Sequence, residues 1–319
     1  MPRPAARPLP AAPTPDAGWQ ARRELPTPPR YDFAGTVGAL VVGSGDPTAR
    51  LAPGAFWRAS RTPEGSGTMH LRRRDGHLVA TGYGPGGGWL VARAEQLAGL
   101  HHEPLPEPVA QRHPVVAQLA RTRAGTRLPR SGLVFQELFA TVLQQKVTWQ
   151  EAYRGYLGVV RHFGEPAPGP VPLLLPPDPA TVAATPYWAF HRYGIEQKRA
   201  DTLRRCAAVA ARLEETVAMA PADASRRLRA VPGIGPWTVG ELGRLAYGDP
   251  DAVSVGDFHL PHQVAYTLAG EPRADDARML ELLEPFAGWR GLVTRLVATG
   301  GARPKRRAPR RPHRNFARH

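Results

Sequence analysis

The chain has 319 residues and carries 42 Lys and Arg against 27 Asp and Glu, a formal net charge of +15. That length allows two domains and a substantial core, while the charge favours a polyanionic partner and says nothing about fold. One cysteine, Cys206, excludes an internal disulfide framework, and with neither a basic-then-apolar leader nor a run of membrane-spanning length the expectation is a soluble, cytoplasmic protein with no membrane partner.

Residues 1–30 are rich in proline and alanine and lack apolar periodicity, so they are expected to be disordered or extended. From Tyr31 the pattern changes. Short, partly alternating runs at 31–42, 56–61, 68–73, 77–83 and 88–91, split by Gly, Pro and Asp-Gly, read as strands. Asp75-Gly76 reads as a hairpin turn. Beyond the Pro-rich segment 104–108 a helical period takes over. It places Leu138, Phe139, Val142 and Leu143 on one side of 133–147, and it continues through 150–163, 185–193, 197–215, 222–230, 236–246, 260–269, 275–286 and 290–296. Residues 164–179 form a Pro-rich connection. The expected fold class is α+β: a small antiparallel-sheet domain at 31–107, then an all-helical domain at 108–300. The tail at 301–319 holds eight basic residues and no acid. It suits either sequence-independent contact with a polyanion or a solvated, disordered tail. Lysine occurs only at Lys146, Lys198 and Lys305. The arginine excess suits phosphate recognition and suits a GC-rich genome equally.

The stretch Val231–Asp257 is the most informative. Gly233 and Gly235 permit backbone conformations closed to other residues, and Pro236 suits a first helical position. A glycine hairpin opening a helix leaves amide N–H groups facing outward, a ready phosphate site. Asp257 follows Trp237 by twenty residues, just before a new helical pattern. An anion-binding hairpin beside one carboxylate points to chemistry on a phosphodiester-linked substrate. Taken alone, Asp257 also reads as a helix N-cap, and the two roles are compatible. Taken alone, the glycine pair also reads as an ordinary helix–helix turn.

These residues carry a resemblance. Val231–Val239, followed by Val255–Leu260 with Gly256 interposed before Asp257, is similar to the hairpin and catalytic-aspartate strings of the helix-hairpin-helix DNA glycosylase superfamily. Leu143-Gln144-Gln145-Lys146-Val147-Thr148 resembles a second string of that superfamily. Gly194-Ile195 with Gln197-Lys198-Arg199-Ala200 resembles a third. The three occur in the superfamily's order within residues 133–270, with the helix-hairpin-helix at 222–246. Lyase members of the superfamily carry a Schiff-base lysine where this chain has Trp237, so no covalent imine forms there. Other members carry a four-cysteine iron–sulfur cluster, which one cysteine cannot hold. What remains resembles the DNA-3-methyladenine glycosylase II type.

The resemblance implies a role for each matching position. Asp257 is the catalytic carboxylate, stabilising positive charge on the sugar and orienting water. Gly233, Ile234 and Gly235 bind the DNA backbone, with Ile234 packed under the turn. Trp237 lines the pocket for the extruded base, although as a residue it also suits a core indole. Glu241 stands where alkylation-repair relatives often carry a tyrosine; it either attracts a cationic base or faces solvent. Lys146 occupies the wedge position and Gln145 contacts DNA or orients its helix, although both also suit a polar helix C-terminus. His259 orients the Asp257 segment. Asp257, His259 and His262 share a metal-like spacing, but no further ligands surround them, so neither metal nor cofactor is expected. Trp149, Tyr187 and Trp188 could add aromatic surface to a pocket, but core packing is the expectation for each.

The expected activity is monofunctional hydrolysis of the glycosidic bond of alkylated bases in duplex DNA, by a monomer. Among the candidate bases, 3-methyladenine, 7-methylguanine, hypoxanthine and ethenoadenine stay open. The alternative from another class is a non-catalytic DNA-damage or DNA-structure binding protein.

Overall fold

The computed structural model describes residues 18–304. Turn chemistry builds its sheet. Asp75 and Gly76 both adopt positive φ, 37° and 78°, and close the tight hairpin that their sequence predicts. They join β4 to β5 in an antiparallel sheet of order β1-β5-β4-β3-β2. The strands are β1 (Trp19–Pro26), β2 (Ala49–Ala52), β3 (Ala55–Thr62), β4 (Gly65–Arg74) and β5 (His77–Tyr83).

Three expectations change here. Residues 19–26, within the segment 1–30 expected to be disordered or extended, are an ordered strand that belongs to the sheet domain expected to begin at 31; β1 pairs with β5, and Leu25 is buried. Residues 1–17 lie outside the described residues. The run at 31–42 is α1 (Phe33–Val37) and a 3-10 turn, not a strand. Phe33 and Val37 are one turn apart and both buried, and Asp32 caps the helix by accepting from the Gly35 N–H at 2.8 Å. The run at 88–91 lies in α2 (Gly87–Ala92). Both runs are too short for periodicity to separate the two conformations.

The sheet is covered on both faces. Phe56, Met69, Leu71, Leu78 and Ala80 pack with α1, α2 and α3 (Ala94–Leu97). Trp57, Ala59 and Tyr83 pack under Val171, Leu173 and Leu175 of the Pro-rich connection.

The chain then becomes helical through α4 (Glu107–Ala110), α5 (Pro114–Thr122), α6 (Val134–Leu143), α7 (Trp149–Phe163), α8 (Pro179–Ala184), α9 (Gln197–Ala208), α10 (Ala210–Glu214), α11 (Pro221–Arg229), α12 (Pro236–Leu242), α13 (Leu260–Ala269), α14 (Asp276–Leu283) and α15 (Arg290–Gly300). The segment expected at 185–193 is a 3-10 turn, and α12 runs on through a π-helical turn at Gly243–Tyr247. One core gathers α6, α7, α9, α11 and α12; a second gathers α4, α5, α13, α14 and α15. Cys206 is fully buried in the first, and burial pushes its thiol up to about 12.

Two devices fix α6, whose C-terminal turn reaches the candidate site. Glu214 accepts from the Val134 and Phe135 N–H groups at 2.8 and 2.7 Å, capping its start from another helix. The Arg58 guanidinium on β3 meets Glu137 on α6 at 2.5 Å, both side chains buried, and so ties sheet to helix.

Candidate active site

The hairpin follows the end of α11 at Arg229. Val231 and Ile234 turn into the core, with Ile234 under the turn as its apolar character requires. Gly233 sits at φ 102°, and a Cβ there would come 2.1 Å from Thr202 Oγ1, so both strain and contact demand glycine. Pro236 opens α12 at its first position. The Ile234 N–H donates to the Val231 carbonyl at 3.0 Å. The Gly233 and Gly235 N–H groups have no internal acceptor among the described residues.

Asp257 lies against this hairpin. The Trp237 indole Nε1–H donates to Asp257 Oδ2 at 3.0 Å. Asp257 Oδ1 accepts from the His259 and Leu260 N–H groups at 2.7 and 2.8 Å. The carboxylate therefore caps the entry to α13 and touches the hairpin helix at once. Its three N–H donors fix its rotation, yet a carboxylate offers about four lone-pair directions, so room for a further donor remains. Trp237 is half-buried, with its polar edge turned to Asp257.

Glu241, one turn further along α12, is not the free carboxylate that the sequence suggested. It accepts from Ser254 Oγ at 2.5 Å and from Arg244 Nη2 at 2.6 Å. Ser254 belongs to the loop that carries Asp257. In the same loop the Gly256 N–H is held by both Asp276 carboxylate oxygens at 3.0 Å. Neither Ser254 nor Asp276 was singled out from sequence; a polar serine inside the apolar run Ala252–Val255 was the available signal.

The α6–α7 turn meets the hairpin from the other side. Gln145 Nε2 donates to the Gly233 carbonyl and to Thr238 Oγ1, each at 3.0 Å, so this side chain orients the turn. Lys146 follows in the left-handed region at φ 56°, exposed at the tip. Behind it the buried Arg199 donates to the Leu143 and Gly194 carbonyls at 2.7 and 3.0 Å and to Glu196. That guanidinium satisfies the carbonyl end of α6, a job the sequence string containing Arg199 did not reveal.

His259 contributes its backbone N–H to Asp257, while its exposed ring meets Phe258 edge-on at 4.9 Å. Phe258, beside the carboxylate, is 79% exposed. His262 Nδ1 accepts from the Ala274 N–H at 3.1 Å, giving the D-x-H-x-x-H spacing a structural use. Trp149 and Trp188 do not pack in the core as expected: they are 52% and 63% exposed, Trp149 stacked on Tyr153. Residues 305–319 of the basic tail lie outside the described residues.

No protein-family model matches the chain. It is 27% identical over 176 residues to the Bacillus subtilis protein named "Putative DNA-3-methyladenine glycosylase YfjP", across 53% of this chain and 60% of that protein. It therefore spans less than two thirds of that relative's length. Among solved structures, the Archaeoglobus fulgidus 3-methyladenine DNA-glycosylase superposes with a TM-score of 0.74 at 16% identity, covering 88% of this chain and 98% of that one. The Clostridium acetobutylicum 8-oxoguanine glycosylase/lyase in complex with double-stranded DNA gives 0.65 at 11% identity, covering 88% and 96%. The described chain thus has the α+β fold of the helix-hairpin-helix DNA glycosylases, the superfamily that its three sequence strings resemble.

Proposed function

We propose that the chain is a monofunctional DNA glycosylase that hydrolyses the glycosidic bond of alkylated bases, of the 3-methyladenine type, in duplex DNA, acting as a monomer and initiating base-excision repair. One observation carries the reading. The Asp257 carboxylate is fixed beside the hairpin by the Trp237 indole, and that indole stands at the position where the superfamily's lyase members carry lysine. Fold alone does not choose between hydrolysis and lyase chemistry, because a glycosylase/lyase shares it; the absence of an amine at position 237 supports hydrolysis.

The chemistry follows from the geometry. As the C1′–N bond breaks, its electron pair leaves with the base and positive charge grows on the sugar. A carboxylate held by three N–H donors stabilises that charge without first having to reorganise. Water adds to C1′ and gives up a proton, leaving a free base and an abasic site. A ring nitrogen that carries an alkyl group makes the base cationic, hence a better leaving group and a weaker pairing partner. The Gly233 and Gly235 amides, which meet no acceptor among the described residues, suit a backbone phosphate. Lys146, exposed at the tip of a turn that Gln145 fastens to the hairpin, suits insertion into the gap left by an extruded nucleotide.

The test is Asp257→Asn. Wild-type protein is incubated with alkylated duplex DNA and the released bases are identified by mass spectrometry. Base release is expected to fall by about 100-fold or more in the variant, with affinity for a duplex containing an abasic analogue within twofold. Undiminished release removes Asp257 from the reaction. Binding without release by the wild type leaves a non-catalytic damage-binding protein instead. Borohydride is expected to trap no protein–DNA adduct.

A further inference from the structure

We infer that Glu241 is a positioning residue for Asp257, acting through Ser254; this rests on the reading of Asp257 as the group that meets the sugar. Trp237 and Glu241 lie one turn apart on α12 and therefore share a face. Both reach the same short loop. Trp237 Nε1–H holds Asp257 at 3.0 Å, and Glu241 accepts from Ser254 Oγ at 2.5 Å. Between those points the loop closes on itself, the Asp257 N–H donating to the Ser254 carbonyl at 3.3 Å. One helix thus grips the loop at both ends.

The contact between the grips is backbone against backbone. A Cβ on Gly240 would stand 2.4 Å from the Val253 carbonyl oxygen, so α12 and the loop meet with no side chain between them. Asp276 braces the loop at Gly256. Glu241 is itself steadied: its second oxygen takes the Arg244 guanidinium at 2.6 Å, and the two side chains are 16% and 19% exposed. With both oxygens engaged, Glu241 is already paired with a cation, Arg244, and tied to the loop through Ser254. Its function lies in holding the loop in register with Trp237, and a fixed carboxylate is what electrostatic stabilisation of the sugar requires.

The experiment compares Glu241→Ala, Ser254→Ala, their double variant and Glu241→Gln in the full chain. Single-turnover base release is measured beside affinity for a duplex containing an abasic analogue. The Trp237 indole N–H resonance, assigned with Trp237→Phe, is followed by NMR. Glu241→Ala and Ser254→Ala are each expected to slow release about tenfold, with affinity within twofold, and the double variant is no slower than the slower single. Glu241→Gln keeps an acceptor for Ser254 and stays within about threefold of wild type. In an Asp257→Asn background Glu241→Ala slows release no further, although its effect on thermal stability persists. The indole resonance moves in Glu241→Ala and in Ser254→Ala. Unchanged release with an unmoved indole resonance overturns the inference, as does an equal slowing in the Asp257→Asn background. If the wild type releases no base, the reading of Asp257 fails while the indole resonance still reports whether the grip exists.

Discussion

Trp237→Phe removes one N–H and keeps an aromatic ring. The lost bond is the 3.0 Å contact to Asp257 Oδ2. Hydrogen bonds to charged groups contribute about 1.5–3 kcal/mol, which corresponds to roughly 10- to 100-fold in a rate if the bond acts fully in the transition state. Two backbone donors from His259 and Leu260 stay on Oδ1, so the carboxylate keeps one anchored oxygen. The site is only half-buried, and water replaces part of what is lost. The expected loss therefore lies near the lower end, about tenfold in the single-turnover rate of base release. The assay uses enzyme in excess over an alkylated duplex, with affinity for an abasic analogue measured in parallel. Affinity is expected to change less than twofold, and the loss is expected to be smaller than that of Asp257→Asn. An unchanged rate, or a deficit confined to affinity, refutes the claim that the indole holds the carboxylate for the chemical step.

Two further outcomes follow from positions outside the carboxylate. Gly233→Ala meets both the 102° φ and Thr202 Oγ1, and is expected to lower unfolding free energy by about 1–3 kcal/mol in urea titrations; an unaltered midpoint argues against this hairpin conformation. Asp251 accepts from the Gly288 N–H and from the Arg290 N–H, Nε and Nη2. Burial pushes its carboxyl up, but the bonds from Arg290 and Gly288 outweigh that and leave it below the ordinary range. A carboxyl lowered by folding stabilises above its unfolded value, near pH 4, and loses that contribution as pH falls through the folded value. Asp251→Asn is thus expected to cost about 1–3 kcal/mol at pH 7, with the gap from wild type closing as pH falls below about 4. Parallel stability curves across that window contradict the assignment.

The parts legible from sequence were those whose spacing is local. Gly233, Ile234 and Pro236 announce a turn and a helix start by residue type alone, and Leu260–Ala269 keeps its period to both ends. What stayed hidden depends on partners distant in the chain. β1 buries Leu25 but has no clear alternation, and it needs β5 beside it to be a strand. Glu241 matches a position where the resembled relatives often carry a tyrosine, which points to the pocket; its partner Ser254 is thirteen positions away, across a loop. Arg199 stood in a recognisable string, but an arginine in a sequence does not show that its guanidinium turns inward to carbonyls at Leu143 and Gly194. Trp149 and Trp188 were assigned to the interior from hydrophobicity, which ranks side chains for burial without knowing what lies above them.

Cys206 has a chemical consequence for how the protein endures its surroundings. Reagents that alkylate ring nitrogens in DNA also consume thiolates, and reactivity follows the ionised fraction and its access to solvent. Burial pushes the only sulfhydryl of the chain up to about 12 and leaves it no exposed surface. Both determinants of thiol alkylation, ionisation and access, are thus set against reaction at this sulfhydryl.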